Sequence, residues 1–125
     1  MGIDFCKRRE MRLKADPPSR SYSSFSRFRH FVGLSIGINL DSMRGFGGTH
    51  EWPGKHPVEP FLNHSDCDGD LSPGECKDIA PALEKIVLSW KDDRSEKEKY
   101  DKIWGLTLVK AMRECAKEGA ELIFC

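Results

Sequence analysis

The sequence predicts an α+β fold, and three observations carry that expectation. Alternating apolar side chains open the chain in "GIDFC" and close it in "AELIFC", which is the period of a half-buried strand at each end. Between them lie stretches in which apolar residues recur at steps of three and four, the period of an amphipathic helix. A third segment, "RGFGGTHEWPGKHPVEP" (44–60), packs four glycines and three prolines into seventeen residues, too many for the interior of a helix or strand. The expected architecture is a small sheet pairing the N- and C-terminal strands, covered by about three helices, with one long Gly/Pro-rich loop.

Taken in chain order, the first strand rests on Ile3 and Phe5, and "DPPSR" ends it because Pro17 and Pro18 cannot continue a ladder. A helix follows from Ser21 or Ser23, either of which is a good N-cap, with Phe25, Phe28 and Val32 on one face and a stop near Leu34. After the 44–60 loop, "SPGECKDIAPALEKIVLSW" carries Cys76, Ile79, Leu83, Ile86, Val87 and Trp90 as one stripe, which predicts a single helix kinked at Pro81. Ser95 with Glu98 reads as a capping box opening a last helix, whose expected inner stripe is Tyr100, Ile103, Trp104, Thr107, Leu108, Ala111, Met112 and Cys115. Gly119 is a natural terminator for it.

At 125 residues the chain suits one domain, 1–125, large enough for its own core. Apolar residues make up 38% and charged ones 32%, the range of a globular protein rather than a disordered or membrane one. No apolar run reaches the length of a bilayer span, so no membrane partner is expected. "MGIDFCKRRE" lacks the apolar core of a secretory signal, and the five cysteines, an odd number, read as thiols in a reducing compartment. A cytoplasmic address follows from both. Formal charge sums to zero, yet residues 1–62 hold ten Lys/Arg against six Asp/Glu, whereas residues 63–125 hold ten against fourteen. Neutrality as a whole argues against duplex nucleic acid as a partner.

Chemistry concentrates in "NHSDCDGDLSPGEC" (63–76). With Gly69 at the sixth position of a twelve-residue calcium loop, Asp66 and Asp68 fall at positions 3 and 5, the Asp70 carbonyl at 7, Ser72 at 9 and Glu75 at 12. His64 occupies the first position, where a hard cation prefers oxygen, so Ca²⁺ binding here is expected to be weak. The same letters have an ion-free reading. "SPGE" is a complete helix start, with Ser72 as N-cap, Pro73 at the first helical position and Glu75 as the returning acid. Zn²⁺ is a lesser alternative, because His50, His56, His64, Cys67 and Cys76 lack the paired spacing of structural sites. A Cys67 nucleophile with His64 as base lacks a third group to orient it, and no catalytic residue is assigned.

The second candidate surface is "SYSSFSRFRHF" (21–31). Arg27 and Arg29, with serine hydroxyls at a helix start, are the groups that cradle a phosphate, and Tyr22 or Trp52 is suited to stack on a base. The expected pocket lies between the 44–60 loop, His64 and the Arg27 helix, with Tyr22, Arg27, Arg29, His50, Trp52 and His64 as its lining and a small anion or nucleotide as its ligand.

Two resemblances add to this reading. Residues 64–75 are similar to EF-hand-like loops that keep only the exit helix, because prolines in "EWPGKHPVEPFLN" leave room for about one turn before the loop. "LNHSDCDGDLSPGEC", the upstream "GFGG" and the terminal "LIFC" together resemble a family of small uncharacterised proteins of actinobacteria and their phages. That family implies no activity; a phage origin would suit an accessory role such as sequestering a nucleotide signal. The expectation is therefore a small non-enzymatic binding protein that holds Ca²⁺ weakly, with capture of an anionic or nucleotide ligand, or metal-dependent hydrolysis, as alternatives.

Overall fold

A computed structural model describes residues 2–7, 12–14, 17–64, 69–90 and 96–124, with the side chains of 96–98 left out. The chain ends do pair: β2 (Phe5–Lys7) runs antiparallel to β5 (Leu122–Phe124), with Phe5 opposite Phe124. A third strand, β4 (Asp70–Leu71), joins the other edge of β5 and gives the order β2-β5-β4. Sequence reading missed β4 because two residues are too few to show a period. Outside this sheet, β1 (Gly2–Ile3) pairs with β3 (Arg20–Ser21), which anchors Arg20 opposite Ile3 immediately ahead of the first helix.

Helix α1 spans Tyr22–Ser35 and starts at Ser21, whose hydroxyl accepts the Ser24 N–H. Four residues, Glu59–Leu62, form the one-turn α2, and α3 (Pro73–Leu88) continues as one helix through Pro81. Helix α4 runs Glu96–Glu118; the capping box expected at Ser95 and Glu98 lies outside the described side chains. α3 and α4 lie antiparallel: Glu84 pairs with Arg113, and Val87, further along α3, meets Gly105, earlier in α4.

Aromatic rings fill the centre. Phe5, Phe25, Phe28, Phe61, Trp104 and Phe124 are buried and meet mostly edge to face, for example Phe5 on Phe124 at 4.9 Å and Phe28 on Trp104 at 5.0 Å. Each ring removed from water stabilises the fold by roughly 1.5–3 kcal/mol, with a further contribution from the ring geometry. Of the expected inner stripe of α4, Trp104, Leu108, Ala111, Met112 and Cys115 are buried, while the start of the helix is rotated from its forecast position. Tyr100 and Ile103 are 44% and 64% exposed, and Asp101 and Gly105 face inward instead. Two contacts drive the rotation: Asp101 is drawn in by arginines, and Gly105 admits Phe28, whose ring atoms would lie 2.9 Å from any Cβ placed there. No helix among the described residues is long and apolar enough to cross a membrane.

Candidate functional site: two serine-capped helix starts

The 64–75 segment folds around its glycine. Gly69 sits at φ +89°, the left-handed turn that only glycine adopts freely, and a Cβ there would come within 3.2 Å of the His64 ring. Leu71 then enters β4, Ser72 caps α3 by accepting the Glu75 N–H at 3.1 Å, and the Glu75 carboxylate accepts the Ser72 N–H at 2.9 Å. The capping box is complete. His64 lies against Phe124, ring centres 4.0 Å apart, and its Nε2 is 2.9 Å from the Asp70 carbonyl. Since a carbonyl only accepts, Nε2 carries the hydrogen. Asp66, Cys67 and Asp68 fall outside the described residues. Among the described residues no group of three or more His, Cys, Asp or Glu side chains could hold a metal ion.

The residues expected to share one pocket are placed apart. Arg29 is buried beneath α2, donating from Nη1 to the carbonyls of Leu62 and His64, with its guanidinium 4.7 Å from the Phe25 ring. A cation at carbonyls that end a helix is a structural fastening. Of that set, Arg29 and His64 meet. His50 is exposed and joins Met43 through backbone pairing, Tyr22 packs on the core, and Trp52 donates to the Arg44 carbonyl.

Trp52 instead walls a cavity of about 660 Å³ between residues 52–63 and the start of α3, alongside Pro57, Pro60, Ile79 and Pro81. Glu59 also lines it, but its carboxylate is already engaged by the N–H groups of Gly54, Lys55 and His56 at 2.9, 2.9 and 2.7 Å. Burial pushes the Glu59 pKa up, and those three donors more than reverse the push, so it stays below the ordinary carboxylate value. The acid ties down the loop. Cys76 and Cys115 are buried thiols whose desolvation raises their pKa values to about 12 and about 11. Both are protonated at neutral pH and are not nucleophiles.

Arg27 belongs to a different constellation at the start of α1. Its Nη2 lies 3.1 and 3.3 Å from the two oxygens of Asp101, which also receives Arg20 Nη2. Arg20 Nε donates to Ser24 Oγ at 2.9 Å, and its guanidinium stands 4.7 Å from the Trp104 ring centre and 5.4 Å from that of Tyr100. Side chains of Arg20 and Asp101 are 2% and 1% exposed, whereas Arg27 at 31% reaches solvent. A cavity of about 470 Å³ opens over this group, lined by Arg20, Ser21, Ser23, Ser24, Arg27 and Tyr100. The first turn of α1 holds no acid, so two guanidinium charges face one carboxylate beside the positive end of a fourteen-residue helix.

Sequence reasoning does not single out Arg20 or Asp101, and it assigns Tyr100 to the inner stripe of α4, whereas the residue is 44% exposed. A charged residue on a helix seam breaks the apolar pattern that identifies the seam, so Asp101 was invisible to it. The available signal was that 101, 104, 108, 111, 112 and 115 also keep helical spacing. No family model matches the chain, and neither a curated protein nor a solved structure matches it.

Proposed function

We propose that this chain is a small non-enzymatic binding protein that holds a phosphate-type anion of a small ligand in the Arg20–Arg27 cavity. One observation carries the reading: two guanidinium groups share a single carboxylate where an acid-free helix start meets a cavity. An anion there gains from the surplus cation, from serine hydroxyls and from the first-turn N–H groups that helix geometry leaves without intrahelical partners. A cytoplasmic location, where phosphorylated metabolites are abundant, suits it. Isothermal titration with inorganic phosphate at low ionic strength is expected to give saturable binding that weakens as salt rises and is abolished by Arg27→Ala. A flat titration of the folded protein overturns the reading.

Weak Ca²⁺ binding by residues 64–75 stands as a second reading, supported by the left-handed Gly69 at the sixth loop position and by Ser72 and Glu75 at the exit-helix start. Asp66, Asp68, Ser72 and Glu75 would supply side-chain oxygens and Asp70 its carbonyl. His64 already donates to that carbonyl, so an ion has to displace an imidazole N–H, which accounts for low affinity. Calcium is expected to raise the melting temperature, and alanine at Asp66 and Asp68 to remove the shift.

A further inference from the structure

We infer that the outer face of α4 docks an acidic amphipathic helix of another protein, with Ile103, Leu106 and Leu88 as the apolar centre of the contact.

The inner stripe of α4 packs into the core, and the opposite face has a pattern of its own. Lys99, Ile103, Leu106, Lys110, Arg113 and Lys117 follow one another at steps of four, three, four, three and four, the spacing of a seam along which two helices pack. At 1.5 Å per residue this seam is about 27 Å long. All six residues are exposed or half-exposed, and Ile103, at 64%, is the most exposed large apolar side chain among the described residues. Leu88 widens the apolar centre. It stands one turn beyond Glu84 on α3, as Leu106 stands two turns before Arg113 on α4, and the Glu84–Arg113 ion pair links those two faces. Both leucines therefore lie on the same side of the helix pair, with Leu88 55% exposed. An apolar centre inside a polar rim is the composition of a protein interface.

Charge then chooses the occupant. From Lys99 to Glu118 the acids of α4 are engaged away from the seam. Asp101 is buried against Arg20 and Arg27, Glu114 pairs with Lys7 at 2.8 Å and accepts the Lys14 N–H, and Glu118 reaches the same lysine at 3.1 Å. Glu96 and Glu98 precede the seam, in the first helical turn. The seam itself alternates bases with aliphatic residues. A second copy of this chain does not fit it: an antiparallel pair centred on the seam sets Lys99 on Lys117 and each apolar residue on a base, and a parallel pair sets every base on itself. A lipid surface gains little from three apolar side chains on a chain of zero formal net charge. A helix with acids opposite the lysines and aliphatic residues opposite Ile103 and Leu106 answers both parts of the pattern.

The test uses an alanine-based peptide of about three heptads with central leucines flanked by glutamates, titrated into the full chain by fluorescence anisotropy. Saturable binding is expected, with the peptide gaining helix by circular dichroism. Replacing its leucines by serine, or its glutamates by lysine, should weaken binding about tenfold or more. Ile103→Ser and Lys110→Glu in the protein should each do the same, whereas Lys55→Glu, an equal change of charge on the exposed 44–60 loop, should leave affinity unchanged. Ile103 is largely exposed, so its serine variant is expected to keep the wild-type melting temperature. No binding of the acidic peptide overturns the proposal. Equal binding of the serine-containing peptide, with Ile103→Ser silent, reduces the contact to charge alone and overturns the seam. Self-association by sedimentation that Ile103→Ser removes gives the face to a second copy, and binding to phosphatidylserine vesicles but not to the peptide gives it to a lipid surface; either overturns the partner helix.

Discussion

Two helices of this molecule begin in the same way and end up chemically opposite. Ser21 at α1 and Ser72 at α3 each accept the N–H three residues on, both at 3.1 Å. At α3 the third helical residue is Glu75, which returns a hydrogen bond and sets a negative charge against the helix dipole. At α1 the corresponding residue is Ser24, which brings no charge and accepts from Arg20. One start is neutralised from within its own turn; the other gathers cations and keeps a cavity open above them. The lesson is that a cap satisfies hydrogen bonds, while the sign of the neighbouring side chains decides whether a helix start is closed or can receive an anion.

The largest expected effect comes from the acid that holds the open start together. Asp101 is the shared partner of both arginines, and Arg20 is nearly as buried as it is. Asp101→Asn keeps the shape and removes the charge, leaving a buried guanidinium uncompensated. Urea unfolding should register a loss of about 3–5 kcal/mol, a large share of the 5–15 kcal/mol typical of a domain. A loss within about 0.5 kcal/mol would mean that the arginines relax into water and that no charge is stored at the α1 start.

Converting one start into the other is the sharper test. Ser24→Glu gives α1 the capping box of α3, with an acid three residues after Ser21 and within reach of the arginines that now face the cavity. The internal carboxylate should displace any external anion, lowering phosphate affinity at least tenfold, or about 1.4 kcal/mol. The fold should be retained, with the melting temperature level or slightly raised. Unchanged affinity would place the anion elsewhere and dissolve the contrast between the two helices.

How much of this was legible beforehand follows from which interactions are local. The α3 start was readable letter by letter, because Ser72, Pro73 and Glu75 act within one turn and their spacing encodes the bonds they make. Pairing of the chain ends was legible too, since Ile3 and Phe5 alternate with Asp4 and Cys6, "LIF" is a short apolar run at the other end, and a strand at each end needs a partner. The α1 site was only half visible. Ser21 and Arg27 were apparent from their positions, whereas the meaning of Arg20 depends on a residue 81 positions away. Arg29 looks no different from Arg27 in the sequence, yet two residues of helical rotation turn it from the cavity to the carbonyls below α2. Local chemistry is written in order along the chain; which face of a helix meets which partner is decided by packing.

The smallest expected effect examines the closed start. Glu75→Gln retains an acceptor for the Ser72 N–H and removes only the charge, so it isolates the electrostatic part of the capping box from its hydrogen bond. The cost should be about 0.3–1 kcal/mol by urea unfolding at low salt. It should shrink towards zero in 1 M salt, where screening acts over about 3 Å. Calcium turns the same variant into a discriminator. If residues 64–75 close on their own contacts, added calcium leaves the difference between wild type and Glu75→Gln unchanged. If they bind the ion, only the wild type gains its full stabilisation, because the twelfth loop position supplies two oxygens as glutamate and one as glutamine. The gap then widens with calcium concentration, and the α3 start would rank beside α1 as a place where charge waits for a ligand.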